Sequence, residues 1–209
     1  MITIACPDVP RAAQDYAARG WSVVPIESLG KRPLVPWMPF QRRIAGADEI
    51  AHWFRHWPQA NFGIVTGAVS DLVVLDVDPL HGGAGSLDGL AARHGPLPRT
   101  VEAVTGGGGR HVYFSHPGGT VHNRVGLLPG LDIRGDGGCV VAPPSTHASR
   151  RPYVWRAGHS PDLLPLAPMP AWPLELIRDG VVAAGMAPVR SVPAAANGGA
   201  DARPGASGA

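Results

Sequence analysis

Two carboxylates, Asp76 and Asp78, close the apolar run Leu72–Leu75 in the segment Val74-Leu75-Asp76-Val77-Asp78-Pro79. The run reads as a buried strand. Side chains at i and i+2 of a strand leave the same face, which sets these two acids roughly 7 Å apart along the backbone. Acids held that close repel unless a cation lies between them, and hard oxygen ligands suit a divalent metal. A strand-end Asp-x-Asp is therefore a candidate platform for Mg²⁺ or Mn²⁺ in phosphoryl or nucleotidyl transfer. The alternative is a solvated strand end, with Pro79 opening a turn.

Two further segments carry groups that suit the same chemistry. In Thr105-Gly106-Gly107-Gly108-Gly109-Arg110-His111-Val112-Tyr113-Phe114, four glycines allow close approach of the backbone, and their amides can line an anion. The run leads into a strand with His111 and Tyr113 on one face and Val112 and Phe114 on the other. It is not a Walker loop, because no Gly-Lys-Ser/Thr follows and the next element is a strand. Without Arg110 and His111 at its end, a flexible hairpin turn would suffice. The third segment is Gly130-Leu131-Asp132-Ile133-Arg134-Gly135-Asp136-Gly137-Gly138-Cys139-Val140-Val141. Leu131 and Ile133 alternate with Asp132 and Arg134, as in a half-buried strand. Asp132 offers a third carboxylate, with Arg134 on its face to meet phosphate. Asp136-Gly137 is a hairpin signal, with Cys139–Ala142 as the return strand, so Asp136 has a structural use and ranks below Asp132.

Together these residues resemble a known family. Asp76-Val77-Asp78, the glycine run ending in Arg110-His111-Val112-Tyr113-Phe114, and Leu131-Asp132-Ile133-Arg134-Gly135-Asp136-Gly137-Gly138 with Pro143-Pro144-Ser145 are similar to the bifunctional primase-polymerase (Prim-Pol) domain of the archaeo-eukaryotic primase superfamily. The flanks Trp21-Ser22-Val23-Val24-Pro25, Gly30-Lys31-Arg32-Pro33 through Trp37, and Asn61-Phe62-Gly63-Ile64-Val65-Thr66-Gly67 agree. The resemblance spans roughly Val9 to Ile177. Each motif alone is common; the three in order are specific. The resemblance implies an α/β (α+β) primase-like fold, an N-terminal α/β unit packed on an RRM-like sheet with the active cleft between them. It implies two divalent ions, Mg²⁺ or Mn²⁺, on Asp76, Asp78 and Asp132, and His111 on the incoming triphosphate. Arg110, Lys31 and Arg134 are the candidate electrostatic support. The expected partners are a DNA template and primer and a dNTP or NTP. Many relatives fuse this domain to a helicase; no Walker motif occurs in this chain, so a replicative helicase is expected as a separate partner.

Composition bounds the rest. A chain of 209 residues with 44% hydrophobic content fits one large domain with a core. No stretch has the length of a membrane span or the pattern of a signal peptide, so the expected location is the cytoplasm. Cys6 and Cys139 are too few for a Cys-rich zinc module, and no disulfide is expected between a tail and a buried strand. The formal charge of +2 is no nucleic-acid signature in itself. Lys31, Arg32, Arg42 and Arg43 lie in an acid-free stretch, as do Arg150, Arg151 and Arg156; either could track phosphates or be a solvated loop. Lys31 is the only lysine among 18 basic residues, and a compact ammonium can serve where a guanidinium does not fit. His52 and His56, at i and i+4, are too few ligands for a zinc site and read as flanks of the Trp53/Trp57 helix face. Gly83-Ala84-Gly85 lacks the strand and third glycine of a dinucleotide loop, and Cys139 reads as a core thiol.

The elements that position these groups are read as helices at Val9–Arg19, Asp48–Trp57, Ser86–His94 and about Leu174–Ala184. Strands are expected at Trp21–Ile26, Phe62–Thr66, Leu72–Val77, Thr100–Val104, His111–Ser115, Leu131–Arg134, Cys139–Ala142 and Tyr153–Arg156. Residues 1–8 read as a tail, 9–184 as the catalytic domain, and 185–209, rich in Ala, Gly and Pro, as disordered. The primary expectation is template-directed nucleotidyl transfer. The alternatives are a non-catalytic nucleic-acid or nucleotide-binding module of a replication or mobile-element system, and a metal-dependent nuclease.

Overall fold

The computed structural model describes residues 8–178. Its helices are α1 (Val9–Ala18), α2 (Ala47–His56), α3 (Gly83–His94) and α4 (Ala171–Arg178). Its strands are β1 (Val23–Ile26), β2 (Asn61–Val65), β3 (Leu72–Val77), β4 (Glu102–Val104), β5 (Arg110–Ser115), β6 (Arg124–Leu128), β7 (Leu131–Arg134), β8 (Cys139–Val141), β9 (Val154–Trp155) and β10 (Ala167–Pro168). The mixture of antiparallel sheets and few helices is the α+β class expected of a primase-like fold.

Two sheets form. The small one runs β1-β2-β8, all antiparallel. Every residue of β1 and β2 is buried, because α1 and α2 cover this sheet on one side and the large sheet shares its core on the other. Asp8 caps α1 by accepting a hydrogen bond from the Arg11 amide at 3.0 Å. Within α1, Ala13 and Tyr16 turn inward. The Tyr16 hydroxyl donates to the Pro143 carbonyl at 3.0 Å and accepts from the Trp155 indole at 2.8 Å, which ties the helix to the loop after β8 and to β9.

The large sheet runs β6-β7-β3-β5-β4-β9, with β10 beside the far end of β5. Strand β3 is central and covered on both faces, which is why its residues form a continuous apolar run rather than an alternation. One face, through Leu72, Val74 and Tyr113, joins the core around the small sheet. The other, through Val73, Leu75, Val112, Phe114, Leu131 and Ile133, packs a second core that includes Leu87 and Leu90 of α3 and Trp172 of α4. Strand β6 is an exposed edge with a bulge between Arg124 and Leu128; its weak pattern explains why the sequence did not reveal it.

Several expectations change, and α3 begins at Gly83 rather than Ser86. The tight turn at Asp136-Gly137 does form, with the Gly138 amide donating to the Gly135 carbonyl at 3.0 Å. The strands around it do not pair. Cys139–Val141 leaves β7 and pairs with β2, because Val140 and Val141 find their apolar cover in the core of the small sheet. The last helix spans Ala171–Arg178 rather than beginning at Leu174; its proposed extension to Ala184, the tail 185–209 and residues 1–7 lie outside the described residues. Among the described residues, no helix is long and apolar enough to cross a membrane.

Candidate active site

Strand pairing assembles the site. Asp76 of β3 is the register partner of His111 on β5 and of Asp132 on β7. Directly opposed residues of adjacent strands share a face. An aspartate, a histidine and an aspartate from three separate segments therefore form one row across the sheet. Two residues along each neighbouring strand, Tyr113 and Arg134 both oppose Val74, so the same face carries the guanidinium.

Asp78 lies just past the end of β3, in extended backbone. One of its carboxylate oxygens accepts from the Leu80 amide at 2.9 Å, and the other meets His81 Nδ1 at 2.7 Å. The His81 contact, helped by the Leu80 amide, holds the Asp78 carboxyl below the usual carboxylate range. Its backbone is pinned as well: the Asp78 amide donates to the Gly130 carbonyl, and the Gly83 amide donates to the Asp78 carbonyl, both at 2.8 Å. A Cβ on Gly83 would stand 2.4 Å from the Gly130 oxygen, so only glycine lets the start of α3 close against this turn.

The glycine run is the hairpin connection between β4 and β5. Gly108 and Gly109 use their amides inside it, donating to the Thr105 carbonyl and hydroxyl at 2.9 Å, so half the run is unavailable to an anion. A Cβ on Gly109 would meet the Val77 carbonyl at 2.7 Å; this close approach sets the loop beside the end of β3.

These groups line a cavity of about 430 Å³ with Lys31, His81, His147 and Tyr153. The Arg134 guanidinium stands between two of its carboxylates, with Nη2 at 2.6 Å from Asp132 and 3.3 Å from Asp76. The second Asp132 oxygen accepts from the Gly126 amide at the β6 bulge, at 2.7 Å. His111 is buried, with Nε2 at 3.6 Å from Asp76 and Nδ1 without a hydrogen-bond partner among the described residues. Burial pulls its pKa below the usual imidazole range; Asp76 opposes this, while Arg134 and Lys31 add to it. Burial, with Asp76 nearby, pushes the Tyr153 phenol up to about 12.

The structure brings Lys31, Asp76, Asp78, His111, Asp132 and Arg134 to this one cavity. It does not bring Arg110 there. Neighbouring strand residues leave opposite faces, so Arg110 points away from His111 and forms a two-pronged bond with Glu102 at 2.6 and 3.0 Å. Asp136 is structural: its oxygens accept from the Ala68 and Val121 amides, each at 2.8 Å. No local pattern marks His147 or Tyr153, which come from the loop after β8. His81 was visible only as a histidine three residues from Asp78. Cys139 is partly buried against the core of the small sheet rather than fully inside it, and burial pushes its thiol up to about 12.

Hard carboxylate oxygens are the donors that Mg²⁺ and Mn²⁺ take, and a cationic guanidinium already stands between two of the three acids. The residues fit a divalent cation in kind. Among the described residues, no three His, Cys, Asp or Glu side chains form a ready-made metal group. Arg134 would have to yield its place.

The family model of the bifunctional DNA primase/polymerase, N-terminal (Prim-Pol), matches residues 13–172. The chain belongs to that family. Its matched segment contains every residue of the row and of the cavity described above. Membership places this Prim-Pol chain in the primase/polymerase class, the general activity for which the family is described. Comparison with curated proteins returns no match.

Proposed function

We propose that this Prim-Pol domain carries out template-directed nucleotidyl transfer, adding a dNTP or NTP to a primer 3′-hydroxyl on a DNA template. The observation that carries this reading is the register of Asp76 with both His111 and Asp132. It joins three motifs, far apart in sequence, on one cavity wall.

Asp76, Asp78 and Asp132 would hold two divalent ions, Mg²⁺ or Mn²⁺, whose chemistry when bound is to lower the pKa of the attacking hydroxyl and neutralise the leaving pyrophosphate. The remaining roles belong to the chain itself. Asp78 enters the site ionised and oriented, since His81 and the Leu80 amide hold it. Asp132 is oriented by the Gly126 amide. Arg134, freed from the two aspartates, reaches toward phosphate, where a guanidinium binds two oxygens at once. His111, buried with Nδ1 unpartnered among the described residues, donates a hydrogen bond to the triphosphate. Lys31 faces the same cavity and supplies a mobile ammonium.

A primed template incubated with labelled dNTP and Mn²⁺ tests this. Wild type extends the primer, and Asp76→Ala and Asp132→Ala do not, with unchanged melting temperatures. Full extension by both variants would remove the assignment. A second reading, a nucleotide- or nucleic-acid-binding module without catalysis, draws on the Arg134 guanidinium that already pairs with two of the acids. Binding of primed template without extension by wild type selects that reading.

A further inference from the structure

Three histidines line the cavity, and the atoms around each ring decide what it can offer. At His147 the Ser149 backbone amide donates to Nδ1 at 3.1 Å. An amide nitrogen only donates, so Nδ1 keeps its lone pair and the proton of the neutral ring sits on Nε2. His147 therefore presents a donor. His111 is buried, with Nδ1 unpartnered among the described residues and Nε2 at 3.6 Å from Asp76. His81 has the opposite arrangement to His147. Its Nδ1 stands 2.7 Å from Asp78, whose carboxyl is held ionised and can only accept. The proton is thus on Nδ1. The neutral ring carries its lone pair on Nε2, which makes no hydrogen bond among the described residues.

The short turn that carries His81 does not need this contact for its cap, because the other Asp78 oxygen already accepts from the Leu80 amide at 2.9 Å. Histidines that bind metals commonly donate their second ring proton to a carboxylate, which orients the ring and raises its basicity. We propose that His81 Nε2 is a nitrogen ligand to the divalent cation of this site, with Asp78 standing behind the ring as well as beside the ion. Each Asp78 oxygen has a second lone pair, so its direct role is kept. The inference rests on the metal-dependent nucleotidyl-transfer reading and adds a donor of a different kind. Oxygen ligands suit Mg²⁺. An imidazole among them raises affinity for later first-row metals such as Co²⁺ and does little for Mg²⁺.

Mn²⁺ alone, added to the protein without nucleotide, reads the ligand directly. A coordinated imidazole nitrogen couples to the manganese electron spin and shows in electron spin-echo envelope modulation. Wild type should show that coupling, and His81→Gln and His81→Ala should lose it. By calorimetry, both variants should bind Co²⁺ about 10-fold more weakly and Mg²⁺ nearly as before. Glutamine can still donate to Asp78. Full Co²⁺ affinity in His81→Gln, with a loss only in His81→Ala, would therefore reduce His81 to steadying Asp78 and overturns the proposal. Nitrogen coupling that persists in His81→Gln belongs to another histidine and overturns it as well. Wild type that extends a primer and binds Mn²⁺ without nitrogen coupling overturns the ligand and leaves nucleotidyl transfer standing. Coupling lost in His81→Gln, in a wild type that extends no primer, supports the ligand and removes the transferase reading. Wild type that binds no Mn²⁺ overturns the ligand.

Discussion

The large sheet carries two clusters of acids and arginines, one on each face, and they are built for opposite ends. On the face away from the cavity, Glu102 is a single buried carboxylate shared by Arg110 and Arg156, with contacts of 2.6 to 3.0 Å. Its side chain is 6% exposed, and cations outnumber the acid. Burial alone would raise the Glu102 pKa, but the hydrogen bonds and charges of the two arginines outweigh it and hold the carboxyl below the usual range. On the cavity face the count is reversed. Two aspartates, each about a quarter exposed, share one guanidinium nitrogen at unequal distances. The first cluster is satisfied and closed; the second has an excess of negative charge and an opening. Residue type alone does not separate structure from site. Stoichiometry and access do.

The largest effect expected from that contrast is at Asp132. Asp132→Asn should abolish primer extension with little change in melting temperature, whereas Glu102→Gln should keep extension. Loss of extension in both variants, read on the same gel, would erase the distinction between the clusters.

His111 comes next. A hydrogen bond to a charged phosphate contributes roughly 1.5–3 kcal/mol, or about 10- to 150-fold in nucleotide affinity. His111→Ala should raise the KM for dNTP by that factor and recover at high nucleotide. A normal KM with a lowered melting temperature would make His111 a packing residue instead.

Arg134 sharpens the comparison further. It occupies the place between acids that a metal would need, so Arg134→Gln should bind Mn²⁺ about 5- to 10-fold more tightly in the absence of nucleotide, by simple removal of a competing cation. Arg110→Gln should leave Mn²⁺ affinity unchanged. Calorimetry on both variants reads this without any catalytic assay, and equal affinities in wild type and Arg134→Gln would show that the guanidinium does not guard the site.

The smallest effect is on stability. Glu102→Gln should cost roughly 1–2 kcal/mol, the value for charge-assisted hydrogen bonds reduced because both arginines are substantially exposed. In a domain of this size, that lowers the melting temperature by about 2–8 °C. The pH dependence has a definite sign. Since the folded pKa of Glu102 is depressed, its contribution is complete above the unfolded carboxylate pKa and fades as pH falls through the folded value. The gap in melting temperature between wild type and Glu102→Gln should therefore close on acidification below about pH 4. A gap that persists there would mean the cluster works by packing rather than charge.

Much of this was legible in the chain. The Leu72–Val77 run, the alternation in Arg110–Ser115 and Leu131–Arg134, and the order of the three motifs follow from local periodicity and spacing, and the family match agrees with them. The parity of β5 even carried a correction to Arg110: adjacent to His111 on a strand, it had to face the other way. Edge strand β6 was not legible, because a bulged strand exposed on its outer residues has no firm alternation to read.

What the sequence determined by itself were the local facts: which segments extend, where glycines permit tight turns, and which carboxylates sit at strand ends. Backbone sterics and side-chain period act over a few residues, so a few residues suffice to read them. Only the tertiary structure decided that Cys139–Val141 would join β2 instead of completing a hairpin with β7. It alone placed His147 and Tyr153 in the cavity and Arg134 between Asp76 and Asp132. Those outcomes turn on which apolar surfaces bury one another and which charges are left facing a common space. Such quantities exist only once distant segments have met.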